Sequence, residues 1–146
     1  MKAFAIRLVS VFAAVLLVAG CASGPKYSEV AARTPALKGG EGRIYFYRES
    51  SMLGAALQPD IKLNGAVVGS SKPGGYFYVD RPAGSYVASA STETEKTASF
   101  TLDAGETKYL KSSPSFGIVV GRIVITIESP EKAKLELASL SNTGAP

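Results

Sequence analysis

The sequence has no histidine and only one cysteine among its 146 residues. Without histidine, the usual serine or cysteine triads, an imidazole general base and imidazole metal ligands are all excluded. A single cysteine excludes a disulfide within a monomer, so stability must come from packing and backbone pairing. The formal charge is only +4, which is too small to argue for nucleic-acid binding. We therefore expect no nucleic-acid partner.

An apolar run long enough to span a membrane is also lacking. Residues 8–19 are apolar except for Ser10, but small and turn-forming residues follow at once at 22–25. A spanning helix needs about 20 apolar residues. Because Lys2 and Arg7 precede the run, residues 1–20 are predicted to be a signal peptide. Its removal would reduce the formal charge to +2, with 14 basic against 12 acidic residues.

The predicted signal peptide ends in Val18, Ala19 and Gly20, followed by Cys21. These four residues resemble the cleavage site of bacterial lipoprotein precursors, in which the cysteine carries a diacylglyceryl thioether. The resemblance implies a mature chain that begins at Cys21 and is held on a membrane by two or more acyl chains, an effectively permanent anchor. Since Ala22 and not aspartate follows, the resemblance implies sorting to the outer membrane, facing the periplasm. An ordinary secretory signal is the alternative, and it would leave an unpaired thiol.

Composition divides the rest of the chain into three parts. Residues 21–42 are rich in Gly, Pro, Ala, Ser and charged residues, which predicts a lipidated cysteine and a flexible tether with an average reach of about 25 Å. Residues 43–140 are predicted to form one β domain, whose length suffices to bury a core. Residues 141–146 are predicted to be a disordered tail.

Short runs of β-branched and aromatic residues, separated by turn residues, begin at Arg43. Asn64 and Gly65 suit a two-residue hairpin turn, because both tolerate positive φ. Residues 81–84 predict a second hairpin or a sharp corner. A third pairing is predicted between residues 97–102 and 107–112, and alternating isoleucines predict a central strand over 122–128.

Seven or eight short strands with no alternating helix predict an all-β fold, an antiparallel β-sandwich or a small barrel. Residues 132–140 are the exception, because their alternation suits a strand while their start suits a helix. Ser129 as a cap, Pro130 at the first helical position and Glu131 close behind favour a short C-terminal helix.

Four motifs in this order resemble a family of small bacterial membrane lipoproteins that carry a domain of unknown function. They are RIYFYR at 43–48, LNG at 63–65 with Gly69 after it, GGYF at 74–77 and PAGSY at 82–86. The resemblance covers about residues 43–140. It implies a fold and a place in the envelope but transfers no catalytic residues, since the family has no established activity.

The remaining candidates for chemistry are carboxylates, most of which lie beside predicted turns, where solvated carboxylates belong. They are Asp60, Asp80, Asp103, Glu106 and Glu128. The sequence gives no sign of two carboxylates facing across a cleft, as a glycosidase needs. The glycines at 39–42 lack the lysine and hydroxyl of a phosphate-binding loop. We therefore expect that the protein is not an enzyme and that it binds neither a cofactor nor a metal ion.

Two tyrosine pairs are candidates for binding. Tyr45 and Tyr47 share one face of a predicted strand, and Tyr76 and Tyr78 share one face of another. If exposed, the pairs form an aromatic platform that stacks on cell-wall sugars or anchors a protein. If the strands are central, the tyrosines are half-covered by the tail, and we favour this second interpretation. The intervening residues then fill one core layer: Ile44, Phe46, Phe77 and Val79.

Residues 114–121 form an uncharged segment that is too apolar for an ordinary loop. Phe116, Val119 and their neighbours either dip into a membrane surface, dock on a partner, or cross between the two sheets and cover the core. The last arrangement is the commonest, and we favour it.

Together these patterns predict an envelope lipoprotein of unknown function that acts as a non-enzymatic structural or protein-interaction module. A module that binds peptidoglycan or a surface polysaccharide through the tyrosines is the alternative.

Overall fold

Two β-sheets pack face to face in the computed structural model, which describes residues 22–144. This arrangement confirms the predicted all-β sandwich. The strands of the described chain are β1 (Glu41–Arg48), β2 (Asp60–Leu63), β3 (Ala66–Ser70), β4 (Gly75–Pro82), β5 (Gly84–Ser91), β6 (Glu95–Leu102), β7 (Thr107–Ser115), β8 (Arg122–Glu128) and β9 (Ser141–Asn142). The predicted signal peptide and Cys21 lie outside the described residues, as do residues 145–146.

The first sheet has five strands in the order β8-β7-β1-β4-β9, and the second has four in the order β3-β2-β5-β6. In the first sheet, β1 pairs antiparallel with β4 and parallel with β7. All pairs in the second sheet are antiparallel. Strand β1 is therefore the centre of the first sheet, with a hydrogen-bonded neighbour on each side.

Alternation along β1 sends its side chains to two different apolar layers. Ile44 and Phe46 face the second sheet, and the Phe46 ring stacks on Phe77 with centroids 5.0 Å apart. The predicted layer of Ile44, Phe46, Phe77 and Val79 is thus confirmed. The core between the sheets is completed by Ile61, Leu63, Val68, Ala88, Ala90, Leu102, Leu110, Ile123 and Ile125.

A second apolar layer covers the outer face of the first sheet. Its aromatic members are Tyr45, Tyr47, Tyr76 and Tyr109, and the covering residues are Ala133, Leu137 and Leu140. The covering helix is α2 (Pro130–Leu137). A shorter helix, α1 (Tyr27–Val30), precedes β1 in the chain and continues into a 3-10 turn (Ala31–Arg33). Ser129 caps α2 by accepting the Lys132 N–H, so the predicted C-terminal helix is confirmed. Neither helix of residues 22–144 is long and apolar enough to cross a membrane.

Two turns connect strands as their residues predict. Asn64 and Gly65 have φ of 48° and 83°, and they join β2 to β3 as a hairpin. At Pro82 the chain leaves the first sheet, and at Gly84 it begins β5 in the second. The 81–84 segment is therefore a sharp corner between sheets.

Two predictions of strand position are wrong. Residues 97–102 and 107–112 do not pair, because β6 belongs to the second sheet and β7 to the first. The turn between them is held by β1 instead: Arg43 donates its N–H to the Glu106 carbonyl, and Gly105 donates to the Glu41 carbonyl. The second wrong prediction is that residues 122–128 form a central strand. Strand β8 is instead an edge strand of its sheet, with Ile127 47 % exposed.

The segments predicted to be a flexible tether and a disordered tail are packed on the domain where the structure describes them. Tyr27 donates its N–H to the Leu140 carbonyl at 2.9 Å, and Asn142 donates to the Pro25 carbonyl at 2.9 Å. The Tyr27 ring meets Tyr45 edge-on. Strand β9 extends the first sheet by pairing with β4. The predicted flexible tether differs from the observed packing because the composition of residues 22–42 does not reveal that Tyr27 contacts other aromatic rings.

Candidate functional site

Exposed apolar side chains are concentrated in the loop that joins β7 to β8. We call residues 116–120 the apolar loop; Phe116, Ile118 and Val119 are each more than 80 % exposed, and Val120 is 60 % exposed. Strands β7 and β8 are antiparallel neighbours in one sheet. The loop is therefore a hairpin connection, and the favoured prediction that it crosses between sheets and covers the core is wrong.

The Glu93 carboxylate holds the backbone of the apolar loop in place. It accepts hydrogen bonds from four consecutive N–H groups: Ile118 at 2.8 Å, Val119 at 2.9 Å, Val120 at 3.1 Å and Gly121 at 3.3 Å. These bonds lower the pKa of Glu93 to about 2, because they stabilise the ionised form. Glu93 thus satisfies the N–H groups of Ile118, Val119 and Val120 within the loop, while the apolar side chains of the loop are exposed to solvent.

A second exposed apolar pair lies beside the loop, in the segment between β1 and β2. Met52 is 92 % exposed and Leu53 is 55 % exposed. Leu53, Leu57 and Pro114 line an open groove of about 240 Å³ between this segment and the apolar loop. The groove therefore places Leu53 beside the apolar loop.

The buried Arg48 organises the segment that carries Met52 and Leu53. Its side chain is almost fully buried, and burial lowers its pKa. The guanidinium donates to the carbonyls of Leu57 at 2.5 Å, Gly54 at 2.7 Å and Ser71 at 3.2 Å. Sequence reasoning missed both Arg48 and Glu93. An arginine that directly follows the apolar run 44–47 is a signal for Arg48, whereas Glu93 lies among polar residues and gives none.

The tyrosines do not form an exposed platform. Tyr45, Tyr47 and Tyr76 are each less than 5 % exposed beneath α2 and the N-terminal segment. Tyr78 is half-buried, with the Arg43 guanidinium 4.5 Å from its ring centroid. Desolvation, with smaller contributions from Tyr27 and Tyr45, raises the pKa of the neighbouring Tyr109 to about 12. A sugar ring has no access to the faces of Tyr45, Tyr47 and Tyr76, so the exposed platform of four tyrosines on which the glycan alternative depends is not present.

A partly buried polar network joins the tyrosine layer to α2. The Tyr47 hydroxyl donates to Glu136 at 2.6 Å, and the Lys111 ammonium donates to the same carboxylate at 2.9 Å and also to Glu49. Burial alone would raise the pKa of Glu136, but the hydrogen bonds from Tyr47 and Lys111 outweigh it and lower the pKa. The network fixes the position of α2 on the sheet.

Most of the carboxylates considered from the sequence have structural partners. Asp80 binds Arg43 through two hydrogen bonds of 2.7 and 2.8 Å, and Glu106 pairs with Lys108 at 2.7 Å. Glu128 pairs with Lys132 at 2.8 Å. Asp60 and Asp103 are exposed at the ends of strands. Within residues 22–144, no cluster of three or more histidine, cysteine, aspartate or glutamate residues could hold a metal ion.

Comparisons with known proteins identify a family without an assigned activity. Residues 38–123 match the model of a family described as "Protein of unknown function (DUF2846)". An uncharacterized protein of Haemophilus influenzae (strain ATCC 51907 / DSM 11121 / KW20 / Rd) is 26 % identical over 137 residues, which cover 90 % of this chain and 81 % of that protein. No solved structure matches the chain.

Proposed function

The chain belongs to the DUF2846 family, whose function is unknown, and we propose that it is a lipid-anchored protein of the bacterial envelope. Its β-sandwich is a non-enzymatic module that serves as a structural or interaction partner at the membrane surface. Cys21 carries the acyl chains, and the outer membrane is the destination that Ala22 favours.

The observation that carries this proposal is the junction between Cys21 and the ordered domain. Cys21 follows Val18, Ala19 and Gly20, the pattern expected at a lipoprotein cleavage site. Ala22, the next residue, is already half-buried against the sandwich. Cleavage before Cys21 would therefore leave the folded domain complete and put the lipid directly at its surface.

A non-enzymatic role is supported by the state of the ionisable side chains. The carboxylates with lowered pKa, Glu93, Glu106 and Glu136, each accept hydrogen bonds that stabilise the domain. A general acid needs the opposite shift, toward a raised pKa. A module that binds a partner needs only a stable surface, and the sandwich supplies one.

The anchor is tested by mass spectrometry of the N-terminal peptide purified from bacterial membranes. We expect a peptide that begins at Cys21 and carries a diacylglyceryl group, with the protein in the membrane fraction. The Cys21→Ser variant should be unacylated and soluble. An unmodified peptide that begins elsewhere, or a wild-type protein that behaves as the variant does, would overturn the anchor.

The interaction role is tested by crosslinking in intact cells, with Cys21→Ser as the control. A single dominant partner protein, lost in the control, is the expected result. Crosslinks to muropeptides alone, or no crosslinks, would contradict a protein-interaction module.

A further inference from the structure

We propose that the apolar loop and the adjacent Met52 and Leu53 insert into the same bilayer that holds the Cys21 lipid. The sandwich would then stand with one end on the membrane, fixed at two points. The inference rests on the proposed function, because the lipid on Cys21 defines which membrane and which end of the domain are meant.

The first described residue, Ala22, lies at one end of the first sheet. A Cβ placed on Gly75 would lie 3.1 Å from the Cβ of Ala22, so Ala22 is packed against the start of β4. Ala22 is the first residue that the structure describes, and it follows the proposed lipid-bearing Cys21 directly in the sequence. Gly75 pairs with Arg48, the last residue of β1. The described chain therefore begins at the Arg48 end of the first sheet, and under the proposed function the lipid is attached at this end.

The apolar loop projects from the same end of the first sheet, the end at which Arg48 lies. Strand β7 runs parallel to β1, with Lys111 opposite Tyr47. Ser112 thus lies in the row of Arg48 and Gly75, and β7 continues for three further residues to Ser115. At about 3.3 Å per residue, the loop begins about 10 Å beyond that row. The loop therefore projects beyond the end of the sheet at which the described chain begins.

The segment between β1 and β2 lies along the surface between the start of β4 and the apolar loop. A Cβ on Gly74, next to the anchor, would lie 3.6 Å from Ser50, and a Cβ on Gly54 would contact Pro114 at the base of the loop. Met52 and Leu53 lie between Ser50 and Gly54 in the chain. One segment therefore connects the anchor to the loop along the end of the sandwich. The lateral span from β4 to β7 is two strand spacings, about 10 Å, so one flat membrane meets both.

The chemistry of the loop favours lipid as its occupant. None of the loop residues 116–120 is charged. Backbone N–H groups that enter an apolar phase must be satisfied within the protein, and Glu93 satisfies those of Ile118, Val119 and Val120. Interfacial segments bury apolar side chains by about 5–10 Å, a depth that a loop projecting beyond the anchor row can reach. A protein partner would have to enter between the domain and the membrane to which it is attached.

The test uses the full lipidated protein with Val119→Cys, labelled with an environment-sensitive fluorophore. Acylation occupies Cys21, so the introduced thiol is the one that reacts. The protein is reconstituted in vesicles of phosphatidylethanolamine and phosphatidylglycerol, with and without spin-labelled acyl chains. Ala104→Cys is the matched control, because Ala104 is exposed in the turn before β7, at the opposite end of the sheet.

We expect a blue shift and about twofold quenching by spin-labelled lipid at position 119, with neither effect at 104. Equal, water-like emission at both positions would overturn the inference. A blue shift at 119 that requires added envelope proteins would also overturn it, since the occupant would be a protein. The N-terminal peptide mass is measured on the same sample: an acylated Cys21 with a solvated label contradicts only the insertion, whereas an unacylated Cys21 contradicts the proposed function itself.

Discussion

The Tyr47 hydroxyl donates a 2.6 Å hydrogen bond to the Glu136 carboxylate and so joins the central strand of the first sheet to helix α2. Helix α2 has eight residues, which is too short to persist alone in water. It is held by burial of Ala133 and Leu137 and by this network. The outer tyrosine layer and the helix therefore stabilise each other.

Replacement of Tyr47 by phenylalanine should lower the free energy of unfolding by about 1.5–3 kcal/mol, the usual contribution of a hydrogen bond to a charged group. Urea denaturation of the mature chain with Cys21→Ser measures this change. Tyr86→Phe is the matched control, because the Tyr86 hydroxyl donates to the neutral Pro82 carbonyl near the surface. A larger loss in Tyr86→Phe than in Tyr47→Phe would show that the Tyr47–Glu136 bond is not important for stability.

Stability should decrease in acid partly through Glu136. Its pKa is lower in the folded protein than the ordinary value of 4.5, because Tyr47 and Lys111 bind the ionised form. The stabilisation is complete above the unfolded-state pKa and is lost as the pH falls through the folded-state pKa. The slope of unfolding free energy against pH below about 4.5 should therefore be smaller in Glu136→Gln than in wild type. A slope in Glu136→Gln equal to that of wild type would contradict stabilisation of the ionised carboxylate by Tyr47 and Lys111.

Replacement of Tyr45 by serine should destabilise the protein by about 3–5 kcal/mol, as for other buried aromatic truncations. Tyr45 is 4 % exposed, and it stacks on Tyr109 with ring centroids 5.5 Å apart. Phe116→Ser, at a side chain that is 85 % exposed, should change the melting temperature little. Thermal unfolding of both variants checks this, and an unchanged melting temperature for Tyr45→Ser would restore the exposed-platform interpretation.

Replacement of Glu93 by glutamine should loosen the apolar loop without unfolding the sandwich. The neutral amide is a weaker acceptor for the four N–H groups that the carboxylate binds. Hydrogen exchange should therefore accelerate at residues 118–121, while the amides of β1 remain protected. In wild type, a carbon-13 NMR titration of the Glu93 carboxyl should give a pKa of about 2. A pKa near 4.5 would mean that these bonds are absent in solution.

The strands and their turns were largely predictable because their signals are local. Asn64 and Gly65 determine the first hairpin, and Ser129 with Pro130 determines the start of α2. The two inner residues of β1, Ile44 and Phe46, were assigned correctly to the core because side chains alternate along a strand. Each of these predictions depends on residues that are close in sequence.

The pairing of strands and the packing of the chain ends were not predictable in the same way. Nothing near Asp103 indicates that the turn at 103–106 passes between sheets, because its partners, Glu41 and Arg43, are more than 60 residues away in sequence. Likewise, Glu93 is distant in sequence from the loop that it holds. The apolar loop was recognised by composition, but its exposure depends on β7 and β8 sharing one sheet.

The parallel pairing of β1 with β7 constrains the order in which the domain assembles. During synthesis, one edge of β1 has no partner until Thr107 and the residues after it have been added to the chain. All strands of the second sheet precede Thr107 and have been synthesised by then. The sandwich is therefore completed by closure of a long loop and not by progressive addition of hairpins, which favours slow folding. Any chain that ends before β7 leaves β1, the strand with the most buried residues, with an open edge that can pair with another molecule.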